Sequence, residues 1–332
     1  MIELLKFDPL PRKLTFLLLV IIIAISAFLR IINITNVPPG LYQDESAIGY
    51  NAYSILQTGK DEYGNSYPLY FKSFGDYKLP VYIYLTALSE KVFGLNEFAV
   101  RFPSILAGIL AVLLIFLLVR YLSKNTTLAL VTATVLALNP VHIFFSRAGF
   151  EVNVALTLAL AGIYLFIFGV TEKRFSFIIF SILSFGLCLY SYNETRLIAP
   201  LFLIGLIILY WKKFKEFSLL YQGITFTVFL LTLIPFLLGF FSVSGVFSAK
   251  STLITSTDIL AKGLEFRSYL VFLPHIYTAL FYNQYIFMLF QYLQNIASLL
   301  SGSFFFVSGT TELNQGIGNV GFFYLIEFLR DF

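Results

Sequence analysis

RFPSILAGILAVLLIFLLVR, residues 101–120, holds eighteen consecutive uncharged residues between two arginines. An apolar helix needs roughly 17 to 25 residues to cross a bilayer, so this stretch reads as one complete membrane span. The same spacing recurs on both sides of it. Lys13 to Arg30, Lys124 to Arg147, Glu151 to Glu172, Arg174 to Glu194 and Arg196 to Lys212 enclose similar apolar intervals, and a seventh runs from Glu216 to about Phe241. The expected fold is an all-α polytopic bundle. Residues 1–332 are expected to form a single transmembrane domain, with a first outer loop at about 33–100 and a later one at about 242–318.

Composition agrees. Hydrophobic residues make up 58% of the chain and charged residues 12%, against ~25% charged in an ordinary soluble domain; mean hydropathy is +0.85. The net charge of +4 is small and scattered, which excludes a nucleic-acid partner. Cys188 is the single cysteine, so a disulfide framework within the chain is excluded as well. Without a Gly-rich phosphate loop, a Rossmann-type nucleotide-sugar site has no support.

One apolar stretch breaks the pattern. Pro80 to Gly94 is only about half a bilayer long and closes on Glu90-Lys91, so it is expected to lie at the membrane surface. With the N-terminus cytoplasmic, and the first segment a retained span rather than a secretory signal, every inner loop is then basic. These loops carry Lys6, Arg12 and Lys13; Arg120 and Lys124; Lys173 and Arg174; and Lys212, Lys213 and Lys215, as the positive-inside rule requires.

This parity places the acidic residues on the outer face: Asp44 and Glu45 in the first loop, Glu151 between the third and fourth spans, and Glu194 between the fifth and sixth. Lys78, Arg147, Arg196 and Arg267 accompany them. Carboxylates beside cations at a lipid-accessible face suit a reaction on a lipid phosphate. A carboxylate deprotonates or orients an acceptor hydroxyl, while Arg or Lys neutralises the leaving phosphate. Lys78, Arg147 and Arg196 are the candidates for the phosphate.

Each residue also has a plainer role open to it. Asp44 and Glu45 precede Ile48, Ala52, Ile55 and Leu56, which repeat at helical spacing and stop at Gly59, so the pair suits a helix N-terminus. Arg147 and Glu151 are spaced for a surface ion pair, and Glu194 and Arg196 flank a tight turn. His142 and His275 suit buried or interfacial hydrogen bonding as well as any metal.

The motifs together are more specific. Gly40-Leu41-Tyr42-Gln43-Asp44-Glu45-Ser46, Asp76-Tyr77-Lys78-Leu79-Pro80, and the run from Asn96 to Ser104 resemble the protein O-mannosyltransferase and aminoarabinose transferase superfamily. These are bacterial relatives of glycosyltransferase family 39, of the GT-C type. The likeness continues through Asn139-Pro140 and the run Ser146 to Glu151, and weakly to the run Phe304 to Gly309.

The resemblance implies an inverting transferase that takes a sugar from a polyprenyl-phosphate donor on the outer face of the cytoplasmic membrane. The acceptor would be a protein hydroxyl, a lipid or a glycan. Carried over, the first-loop acidic motif falls on Asp44 and Glu45, with Asp44 as base. The second-loop acidic position is Glu151, and Lys78 matches a Lys-Pro position from which Leu79 separates Pro80. Arg196 and His275 receive no role from it.

No cofactor is expected. An oligosaccharyltransferase-like alternative would place a divalent metal between the acidic loops, at Asp44 and Glu151. A transporter or flippase for lipid-linked sugars, or a non-catalytic membrane subunit, is the competing class, and it predicts charges buried mid-span. Ser268 to Thr311 carries no charge and reads as outer-face helices or one full span. Gly321 to Leu329 reads as the start of a further span.

Overall fold

A computed structural model describes residues 10–74, 76–240, 265, 268, 284–308 and 321. The chain divides into two compact units, residues 1–244 and 245–332. In the second unit the described elements are one helix, α12 (Gln284–Leu299), and a π-helical turn, Phe304–Ser308. His275, Arg267 and most of the later outer loop lie outside the described residues.

The first unit is a helical bundle. α1 (Arg12–Ile31), α4 (Glu97–Ser123), α7 (Glu151–Thr171) and α11 (Leu219–Phe240) are each long and apolar enough to cross a membrane. A fifth candidate span is broken: α5 (Thr126–Leu138) and α6 (Pro140–Arg147) meet at 57°. The break follows from Pro140, which has no N–H to donate and disfavours helical geometry in the residue before it. The Asn139 side chain restarts the helix by accepting from His142 N at 2.8 Å. The chain is thus a multi-pass membrane protein of the expected all-α class.

Two expected spans are shorter than their apolar intervals. α8 (Phe175–Cys188) and α9 (Thr195–Leu209) leave residues 189–194 as turns between them. There the Thr195 hydroxyl donates to the carbonyls of Cys188 and Tyr192. The short α10 (Trp211–Phe214) follows α9.

Three further elements lie in the first loop. α2 (Gln43–Thr58) ends at Gly59, whose φ of 70° is the left-handed cap that glycine adopts at no steric cost. α3 (Pro80–Phe93) begins with proline in its first turn and is 14 residues long, too short to span. Between them, β1 (Phe71–Ser73) pairs antiparallel with β2 (Asp76–Lys78), Phe71 opposite Lys78. Nothing in the sequence pattern pointed to this hairpin, because three-residue strands are too short to show alternation.

Packing follows the amphipathic faces. Ile48, Ala52 and Ile55 of α2 bury against Tyr82 and Ile83 of α3 and Val100 of α4. A second core joins Phe166 and Val170 of α7 to Ile178 and Phe185 of α8. A third joins α1 and α5 to Val112 and Phe116 of α4. Within the bundle Arg30 is fully buried; it donates to the Ser26 hydroxyl at 2.8 Å and to Ala137 O at 3.2 Å, and its Nη2 lies 2.7 Å from His142 Nδ1. A guanidinium only donates, so Nδ1 must be the acceptor. His142 is therefore the partner of Arg30.

Candidate active site

Asp44 and Glu45 stand in the first turn of α2, where the unpaired N–H groups of a helix favour negative charge. Consecutive helical residues point about 100° apart, and these two side chains enter opposite environments. Glu45 is fully buried. Arg101 holds it with two parallel bonds, Nε to Oε1 at 2.9 Å and Nη2 to Oε2 at 3.0 Å. Gly149 N donates to Oε1 at 2.7 Å and Tyr42 N to Oε2 at 3.2 Å, the second being half of a capping box.

Arg101 does more than neutralise Glu45. Its Nη1 donates to Ile34 O at 2.7 Å and Pro38 O at 3.0 Å, and its Nη2 also to Gly40 O. One buried guanidinium thus gathers the loop before α2, the α2 carboxylate and the α4 backbone into one rigid knot. Gly149 is required at close range: a Cβ there would meet Glu45 Cγ at 3.1 Å and the Tyr82 hydroxyl at 3.4 Å.

Asp44 faces outward. Its Oδ1 lies 3.0 Å from Lys78 Nζ, with the Asp44 side chain 42% exposed and Lys78 16%. The β hairpin delivers Lys78 to this position. Glu151 opens α7. The charges of Asp44, Glu45 and Glu151 all bear on the Tyr42 phenol, which burial first and these carboxylates next push well above its ordinary value. Tyr192 is pushed up to about 12 by burial, with Glu194 and Glu151 adding to it. Asp44, Glu45 and Glu151 thus bear on Tyr42, and Glu194 and Glu151 on Tyr192.

The remaining cations divide. Arg147 donates to three backbone carbonyls: Leu29 O at 2.8 Å, Ile32 O at 2.7 Å and Val37 O at 2.7 Å. It ties α6 to the end of α1. Arg196 lies over the rings of Tyr70 at 5.3 Å and Phe236 at 5.5 Å. An apolar cavity of about 590 Å³ is bordered by Pro80, Leu85, Leu158, Leu187, Tyr190 and Pro235. The Arg196 charge bears on Tyr190, and Val81 N donates to Tyr190 O at 3.1 Å, fastening α3 to the α8–α9 turn. A second apolar cavity, about 460 Å³, shares Leu85, Leu88, Val154 and Leu158 with the first.

Among the described residues, no three His, Cys, Asp or Glu side chains come together as a metal centre. Of the partners in this site, the sequence pointed to Asp44, Glu45, Glu151 and Lys78 but not to Arg101, which marked only the edge of a span. Its place inside the Asn96 to Ser104 motif was the available signal.

Residues 77–238 match the family model of the dolichyl-phosphate-mannose-protein mannosyltransferases. This segment is similar to glycosyltransferases of the GT-C type. The matched segment begins beside Lys78 and includes Arg101, Arg147, Glu151 and Arg196. Among solved structures, the chain is similar to ArnT from Cupriavidus metallidurans bound to undecaprenyl phosphate, with 15% identity and a TM-score of 0.47 over 68% of this chain and 40% of that one. It is also similar to the oligosaccharyltransferase AglB from Archaeoglobus fulgidus, in complex with an inhibitory peptide and a dolichol-phosphate. There the identity is 18% and the TM-score 0.48, over 87% of this chain and 37% of that one. The chain thus spans about two fifths of the length of these proteins. No curated protein matches it.

Proposed function

We propose that the protein transfers a sugar from a polyprenyl-phosphate donor to an acceptor hydroxyl, with inversion, at the extracytoplasmic face of the membrane. The observation that carries this reading is the Asp44–Lys78 pair at 3.0 Å, with Asp44 partly exposed in the first turn of α2 and Lys78 two residues before Pro80, which borders an apolar cavity suited to an isoprenoid chain. The family match of residues 77–238 supports it.

In the proposed step, Lys78 exchanges Asp44 for the donor phosphate. The freed Asp44 carboxylate takes the proton of the acceptor hydroxyl, whose oxygen bonds to the anomeric carbon as the bond from that carbon to the phosphate oxygen breaks. The lipid phosphate leaves with its negative charge held by Lys78, with Arg196 as a second cation. Glu45 positions Asp44 through the Arg101 knot and does not meet substrate. Glu151 lines the acceptor side, and Arg147 fixes α6. Asp44 and Glu151 are the residues that would hold a divalent ion, and the step above does not run through one.

Asp44→Asn tests the role of the base. Asn keeps the size of Asp, and the partly solvated ion pair it gives up is worth below ~1 kcal/mol, so the thermal midpoint should nearly hold while transfer from a polyprenyl-phosphate sugar falls by ~10² to 10⁴. Full activity would refute the assignment. Sidedness is tested with single cysteines. Gly64→Cys in the first loop should react with a membrane-impermeant maleimide only from outside, and Ser123→Cys only from inside. Labelling of both from one side would overturn the topology.

A further inference from the structure

A third cavity, about 680 Å³, lies far from Asp44. Arg120 is in the last turn of α4, about 28 Å further along the helix axis than Arg101 at 1.5 Å per residue. The cavity is framed by the ends of α4 and α7, the start of α5 and the Tyr210–Lys213 segment.

Its charges are unbalanced. Arg120, Lys124 and Lys213 line it against a single carboxylate, Glu172. Glu172 Oε1 accepts the Tyr121 hydroxyl at 2.7 Å, and the nearby Glu216 is taken by Lys173 at 2.7 Å. Among the described residues, none of the three lining cations has a carboxylate within ion-pair distance. Tyr164 and Tyr210 add further hydroxyls, while Leu117 and Ile167 supply apolar wall.

A ligand for such a site carries anionic oxygens at one end and hydrocarbon at the other. Cationic pockets between membrane helices on the basic-loop side select anionic lipid headgroups. We infer that this cavity is a binding site for an anionic glycerophospholipid, its phosphate against Arg120, Lys124 and Lys213. The site is independent of sugar transfer and holds whether or not Asp44 is the base.

Native mass spectrometry of the detergent-solubilised full chain, incubated with phosphatidylglycerol or phosphatidylcholine, tests it. The phosphatidylglycerol adduct should persist and the phosphatidylcholine adduct should not. Combining Arg120→Gln, Lys124→Gln and Lys213→Gln should weaken retention on the order of a hundredfold. Combining Arg174→Gln, Lys212→Gln and Lys215→Gln removes equal charge outside the cavity and should leave retention unchanged. If the triple cavity variant does not fold, Lys124→Gln alone should weaken retention about fivefold. Equal retention of both lipids, unchanged retention in the cavity variants, or equal loss in the control would overturn the site. Displacement of the lipid by equimolar inorganic phosphate would overturn its lipid specificity, leaving a site for soluble anions.

Discussion

Asp44 and Glu45 are adjacent in sequence and alike in chemistry, yet the fold uses them in opposite ways. Glu45 is buried with both oxygens bonded twice, by Arg101, Gly149 and Tyr42. Asp44 is nearly half exposed and held by one lysine. A carboxylate whose acceptors are filled by fixed donors has nothing left to offer a substrate; one held by a flexible ammonium can exchange partners. On the proposed function, the contrast separates a positioning residue from a reacting one at two consecutive positions.

Arg101→Leu strikes the buried half of this comparison hardest. It strands Glu45 as an uncompensated buried charge, which typically costs about 3–5 kcal/mol, and releases the carbonyls of Ile34, Pro38 and Gly40. Chemical denaturation in detergent should show a loss of that size. A loss below ~1 kcal/mol would mean that Glu45 is as replaceable as a surface ion.

Glu90 sharpens the same point, because it is a buried carboxylate without an arginine. It is 4% exposed, and neither side-chain oxygen has a hydrogen-bond partner among the described residues. Burial pushes its carboxyl from the ordinary 4.5 up to about 7. The folded state therefore keeps a proton that the unfolded chain has lost, and stability should fall as pH rises from about 4.5 through about 7. The thermal midpoint of Glu90→Gln should lack that slope. An unchanged pH profile in the variant would assign the slope elsewhere.

The smallest effect on stability belongs to the exposed half. Lys78→Met removes an ion pair with a partly solvated partner, worth below ~1 kcal/mol, so the unfolding midpoint should scarcely move. Transfer activity should nonetheless drop, because the leaving phosphate loses its counter-charge. A large stability loss with retained activity would reverse the roles given to the two pairs.

Much of this was legible in the chain. The long spans α1, α4, α7 and α11, the helix at Pro80–Phe93 that is too short to cross, and the α2 helix ending at Gly59 follow from charge spacing and turn residues, which are local signals. The Arg101–Glu45 bond joins residues 56 positions apart, and no local pattern encodes it. The charge of Arg147 is readable, whereas the three carbonyls that accept from it belong to distant backbone. The short strands that present Lys78 fall below the length at which periodicity speaks.

The lengths of two helices bear on the bilayer itself. α8 and α9 contain 14 and 15 residues, about 21 to 22 Å of rise against a hydrocarbon core of about 30 Å. The turn between them, residues 189–194, ends on Glu194, two positions before Arg196. A membrane meeting them must thin locally or let water in behind their tips, a mismatch that costs fractions of a kcal/mol per Å. On the proposed function, such a dimple would let a lipid-borne phosphate be reached without climbing out of the leaflet.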